Sequence, residues 1–216
     1  MVRWPITLLF LSLALALPLV LAQAASAMPP DDAGVMLYAR GCDHLEQAEF
    51  ASALEAFAAA TTAAPDNDTY RQEHAMLRQV LQLRAALDET KDAERWNRTA
   101  LALRTYYVDH RVYAEALAVD RARDERTDTV ESAAMLAESM LLLDMNVEAA
   151  RLLEGLGDRQ SLRTIAQHGL AHARLDETEL ARRLLEDLDG REGMAKADAA
   201  VWLDVACLRA RLGDAK

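Results

Sequence analysis

The sequence predicts an all-α protein built as a row of antiparallel helix pairs, and three observations lead there. Hydrophobic residues make up 52% of the chain but aromatics only 5%, with eight glycines and five prolines. Alanine and leucine therefore carry the apolar content, which suits closely approaching helices, and glycine and proline are too few for a turn-rich all-β protein. Small and large residues recur at fixed offsets around Ala53, Ala116, Ala149 and Ala181, at intervals of 63, 33 and 32 residues. Residues Asp68–Thr90 form one uninterrupted run with apolar positions near a 3.6-residue period. A length of 216 residues suits one domain or one continuous array.

The N-terminus reads as a secretory signal over residues 1–27. Arg3 supplies a short charged region, Ile6–Leu21 is apolar apart from Thr7, Ser12 and Pro18, and Ala25-Ser26-Ala27 is a small-residue cleavage site, with Ala22-Gln23-Ala24 as a second choice. The expected product is a mature chain, 28–216, that is periplasmic or secreted. The alternative is an inner-membrane anchor that is never removed, although the apolar run is short for a span of about 20 residues. Cleavage takes away Arg3, one positive charge, and changes the formal net charge from −11 to −12. That balance argues against phosphate-backbone binding, so no nucleic-acid partner is expected. The basic charge is almost all arginine, with lysine only at 91, 196 and 216, a pattern that fits a GC-rich bacterial gene.

The first pair spans about 34–67. Gly41 on its first helix and Ala53 on its second are small enough for the helices to cross closely, with Phe50 and Phe57 filling the space around the crossing. Ala60 sits one turn further on, and Pro65 ends the second helix because it lacks the backbone donor and clashes with the preceding turn. The segment 68–96 departs from this arrangement and reads as one longer helix followed by a polar turn. Units follow at 97–129, 130–160 and 162–190, centred on Ala116, Ala149 and Ala181, with Gly169 preceding the last. The first of these carries Arg104, Asp120 and Arg123 where apolar or small residues are expected, so its register is open. A half-unit over 196–216 carries one amphipathic helix whose apolar set is Val201, Trp202, Val205, Leu208 and Leu212. It is either a cap or the start of a longer frame.

Taken with Leu37, Gly41, His44, Ala53, Phe57 and Pro65, the arrangement resembles the tetratricopeptide repeat family, whose unit is a ~34-residue helix–turn–helix. The resemblance implies a right-handed superhelical array, a TPR-like α-solenoid, in which stacked units bury a core that no single unit could. It places Gly41, Ala53, Phe57, Ala116, Ala149, Gly169 and Ala181 at packing positions. It also implies a groove lined by first helices: Tyr38, Cys42 and Leu45; Arg98, Leu101 and Thr105; Glu131, Ala134 and Glu138; Arg163, Ala166 and Leu170. These positions hold no Lys or Asn, which disfavours the carboxylate grip some members use on a peptide C-terminus. A mixed groove of this kind suits an extended or helical segment of another protein.

Phosphate loops, a nucleophile elbow, paired CxxC and HExxH motifs are missing from the sequence. His168 and His172, four apart on one helix face, are the best metal candidates, but both fall at packing positions and a third ligand is needed. Cys42 and Cys207 are expected to be free buried thiols. The expected function is an exported scaffold acting by protein binding, not an enzyme, with no cofactor and no metal.

Overall fold

A computed structural model describes residues 30–214. The leader and its cleavage site lie outside the described residues. Within them the chain is all-helical: α1 (Pro30–Glu46), α2 (Phe50–Ala63), α3 (Asp68–Glu89), α4 (Ala93–Asp109), α5 (Tyr113–Thr127), α6 (Val130–Leu142), α7 (Asn146–Glu154), α8 (Leu162–Arg174), α9 (Thr178–Gly190) and α10 (Ala199–Leu212), with short 3-10 turns at Gly157–Arg159 and Met194–Lys196.

Four hairpins share one turn. Ala48, Arg111, Asp144 and Asp176 each take a left-handed backbone, with φ of 58°, 60°, 56° and 61°. In each case the next amide reaches back five residues to a carbonyl: Glu49 to His44 at 2.8 Å, Val112 to Tyr107 at 2.7 Å, Met145 to Met140 at 2.9 Å and Glu177 to His172 at 3.0 Å. This satisfies a carbonyl that the helix end leaves free and reverses the chain in three residues. Each turn residue stands five positions before Ala53, Ala116, Ala149 or Ala181, so the turns repeat at the same 63, 33 and 32 intervals.

Helix starts alternate with the turns. Asn67, Asp92, Thr129, Ser161 and Asp198 cap α3, α4, α6, α8 and α10 by accepting a bond from the amide three residues on. Thr129 with Ser132, and Ser161 with Thr164, close reciprocal capping boxes. The second helices α2, α5, α7 and α9 have no side-chain cap and enter straight from the shared turn.

Each helix packs on its neighbours in sequence, and α6, α8 and α10 also pack side by side. Ala53, Ala116, Ala149 and Ala181 are all fully buried. A methyl group on Gly41 would lie 2.4 Å from the Phe57 ring, so the α1–α2 crossing needs a bare backbone there. At Gly169 the nearest atom to such a methyl is the end of the Leu208 side chain of α10, at 2.7 Å. One apolar cluster, built on Phe57, Leu77, Trp96 and Tyr107, joins α1 to α5. Others join α5 to α8 and α8 to α10. Helix α8 touches α6, α7, α9 and α10, and every residue from Thr164 to Ala171 is buried.

Two sequence expectations, for Trp202 and for the cysteines, fail. Trp202 is 43% exposed, while Val201, Val205 and Leu208 make the buried face of α10. These three lie on one side of the helix, and Trp202 is turned about 100° away from Val201. Cys207 is exposed and Cys42 half-buried, so neither is a fully buried thiol, although both are free.

Candidate interaction surface

Helices α4, α6, α8 and α10 carry a row of charged side chains. It begins where the sequence pattern breaks. Arg104 of α4 donates through Nε to Asp120 of α5 at 3.1 Å and through its terminal nitrogen to Glu138 of α6. Ser139 Oγ donates to the same Asp120 oxygen at 2.6 Å. The oxygen of Glu138 that receives Arg104 also receives Arg163 of α8, at 2.9 Å. Arg163 Nε in turn lies 4.0 Å from Asp204 of α10. Four helices are thus joined by alternating charge: Arg104, Glu138, Arg163, Asp204.

Burial sets the protonation of this row. The Asp120 side chain is fully buried, and desolvation raises its carboxyl above the usual range, with Ser139 and Arg104 holding it partly down. Burial likewise pushes Asp204 up to about 6, against the pull of Arg163. Desolvation works against the Arg104 charge, but Glu138 and Asp120 outweigh it and hold the guanidinium protonated. Arg123 is a second buried cation, donating to Asn97 Oδ1 at 2.7 Å and touching Met135 sulfur at 2.8 Å.

The expected groove residues have mixed fates. Glu138 and Arg163 are brought together in the row. Thr105 is exposed and Leu101 half-buried on α4. Arg98 is exposed and pairs with Glu94 at 2.9 Å, and Glu131 is exposed 3.7 Å from Arg123. Tyr38 packs inward, stacked on Tyr70 at 4.9 Å and tilted on Phe57 at 5.5 Å. Leu45, Ala134, Ala166 and Leu170 are core residues and line no groove; α6, α8 and α10 pack too closely side by side for the last three to stay open. Arg104, Asp120 and Asp204 were not expected in the site. The signal available was pairwise: a base and an acid both replacing apolar positions within one unit.

A pocket of about 310 Å3 opens between α3 and α4, lined by Met76, Val80 and Leu83 on one wall and Thr105, Tyr106 and His110 on the other. Met76, at 45% exposure, forms an apolar lip. The buried Tyr106 hydroxyl finds no hydrogen-bond partner among the described residues. His110 stacks on the Tyr106 ring at 4.0 Å. Its Nδ1 faces the Tyr106 carbonyl at 2.8 Å and its Nε2 faces Glu73 at 3.1 Å. Both partners accept, so the imidazolium, which donates from both nitrogens, fits best. The Glu73 bond accordingly raises the His110 pKa despite burial. Burial pushes Tyr38 up to about 12 and the Cys42 thiol up from its ordinary value, which leaves neither suited to act as a nucleophile at neutral pH.

His168 and His172 are linked ring to ring, Nε2 to Nε2, at 2.9 Å. Gln160 donates to His168 Nδ1 at 3.3 Å, and His172 Nδ1 faces the Glu177 carboxylate. One set of tautomers satisfies the chain: His172 donates to Glu177, His168 donates to His172, and Gln160 donates to His168. In that set His168 is neutral, and burial, with the neighbouring His172 adding to it, lowers His168 to about 4. Among the described residues no group of three or more His, Cys, Asp or Glu is arranged to hold a metal ion.

No protein-family model matches the chain, and no curated protein matches it.

Proposed function

We propose that this chain is an exported, TPR-like α-solenoid that binds a segment of another protein of the bacterial cell envelope and performs no catalysis. The observation that carries this reading is the recurrence of one three-residue turn at Ala48, Arg111, Asp144 and Asp176, in step with the recurring small residues. Identical turns in step with identical packing positions support a stack of like units, and the side-by-side contact of α6, α8 and α10 supports a continuous first-helix face. The apolar pocket beside Thr105 gives a partner side chain a place to enter. The net charge of −11 favours a protein partner over nucleic acid.

A photo-crosslinking residue at Thr105 tests this directly, with one at the outward Arg182 of α9 as control. In the native envelope, Thr105 should capture a defined protein that Arg182 does not. No capture, or equal capture at both positions, rejects the groove. An inner-membrane-anchored assembly component is the second reading, favoured by the apolar run Ile6–Leu21. N-terminal sequencing separates the two: an exported scaffold begins at Met28 or Ala25, and an anchored one keeps Met1 in the membrane fraction. Among the described residues no helix is long and apolar enough to cross a membrane.

A further inference from the structure

Helix α3 is long but thinly seated: of its 22 residues only Tyr70, Leu77 and Val80 are buried. Two side-chain ties hold it to the hairpin that follows. Toward its C-terminal end, Arg84 pairs with Glu115 of α5 at 3.1 Å and lies over the Phe50 ring at 4.9 Å. Toward its N-terminal end, Glu73 meets Nε2 of His110, the residue that closes α4, at 3.1 Å. The ties stand about 16 Å apart along the helix. The pocket of Met76, Val80, Leu83, Thr105 and Tyr106 opens between them.

Arginine stays charged at physiological pH, so the first tie is permanent. The second depends on a proton. Charged His110 donates from both nitrogens, to Glu73 and to the Tyr106 carbonyl at 2.8 Å. Neutral His110 has one proton for two acceptors. If Nδ1 keeps it, the Nε2 lone pair faces a carboxylate that is only 19% exposed and has no other hydrogen-bond partner among the described residues. If Nε2 keeps it, the Nδ1 lone pair faces the carbonyl. Either tautomer turns one bond into a repulsion.

The other groups around His110 leave control to this pair. From α1, Tyr38 and Cys42 approach Glu73, and burial holds both protonated, as it does Tyr106 of α4. Asp109 of α4, exposed on the pocket wall, favours the charged ring. Arg111, next in the turn, lies 3.8 Å from Glu46 of α1, and the two charges offset each other. On α3, His74 is turned about 100° from Glu73. The one charge on α2, Glu55, lines a cleft on the α1 side.

We propose that His110 is a proton-operated clasp on the α3–α4 joint. Charged, it holds the N-terminal half of α3 against α4 and keeps the pocket narrow. Neutral, it frees that half to swing about the Arg84–Glu115 tie, and the pocket widens to admit a partner side chain. The gating rests on the binding reading above, and the clasp does not. The Glu73 bond raises the His110 pKa above its ordinary 6.5. The tie is therefore complete below 6.5 and is lost as pH rises through the folded-state value.

Amide hydrogen exchange on the full chain, corrected for its intrinsic pH dependence, reads the clasp. Losing one hydrogen bond to a charged group should lower protection at residues 73–80 by about tenfold or more between about pH 6 and about pH 9, with α7 unchanged. Glu73→Gln keeps the shape and removes the charge. Its amide can turn over, accepting from the imidazolium or donating to neutral Nε2, so protection should stay high at both pH values. A wild type whose α3 protection does not fall, or a Glu73→Gln chain that loses it equally, overturns the proposal. The His110 imidazole, followed by NMR and assigned with His110→Asn, should titrate above 6.5, and a midpoint at or below 6.5 overturns the proposal too. A photo-crosslinker at Thr105 should capture its partner more at about pH 9 than at about pH 6, and equally at both in Glu73→Gln. Equal capture by the wild type overturns the gating. No capture at either pH rejects the binding reading instead, and the exchange result still decides the clasp.

Discussion

Replacing Arg104 by methionine keeps most of the aliphatic stem and removes the charge. Glu138 retains Arg163, but Asp120 is left with Ser139 as its sole donor in a site with no solvent exposure. Breaking a buried ion pair from one side costs about 3–5 kcal/mol. Here the loss has a ceiling, because the carboxyl can escape by taking up a proton. That costs about 1.4 kcal/mol per pH unit above the folded-state pKa, which burial has raised from 3.8, so it stays below about 4 kcal/mol at pH 7 and below about 1.6 kcal/mol at pH 5. Urea denaturation followed by circular dichroism should therefore give a loss of up to about 4 kcal/mol at pH 7, falling below about 1.6 kcal/mol at pH 5. Arg104→Met/Asp120→Asn should recover most of the loss at pH 7. A single-variant loss under about 1 kcal/mol, or the same loss at both pH values, would refute the argument that the Asp120 charge depends on Arg104.

Other substitutions test other parts of the structure. Gly41→Ala gains about 1 kcal/mol of helix propensity but drives a methyl into the enclosed Phe57 ring, so it should destabilise by up to about 2 kcal/mol. Gly169→Ala meets the movable end of Leu208 and should be close to neutral in the same urea titration. Asp204 has its folded-state pKa raised from 3.8 to about 6, so its carboxylate costs stability as pH rises through that window. Asp204→Asn should stabilise the fold by up to about 3 kcal/mol above about pH 7, seen as a higher melting temperature, and leave it unchanged near pH 4. His168 is lowered from 6.5 to about 4, so the wild type should lose stability as pH falls from 6.5 toward 4. His168→Leu should flatten that part of the pH–melting curve, and an unflattened curve would show that protonation occurs elsewhere.

The all-α class and the single helix over 68–89 were legible because both rest on short-range signals, composition and helical period. Gly41 was legible because a bare backbone leaves a mark at one position. The polar row was not, because its logic is pairwise. Arg104 alone reads as a defect in the pattern, and so does Asp120, and only the hairpin fold that sets them 3.1 Å apart makes one the reason for the other. Ala134, Ala166 and Leu170 were placed on an open face because the family resemblance assigns those first-helix positions to a groove. The side-by-side packing of α6, α8 and α10 decides for contact. Trp202 was misread for a related cause. Its position in the pattern is a buried one, but no described helix lies over it.

The alternation of capped and uncapped helix starts also orders events during synthesis. In the hairpins α4–α5, α6–α7 and α8–α9, the first helix carries its own N-terminal hydrogen-bond acceptor, and the second does not. A capped helix is the better nucleus while still alone, since its first turn is the costly step. Its partner gains order only by folding back through the turn onto a surface already formed. The nascent chain releases the self-starting helix of each hairpin before the dependent one, so every newly emerged template is in place when its follower arrives.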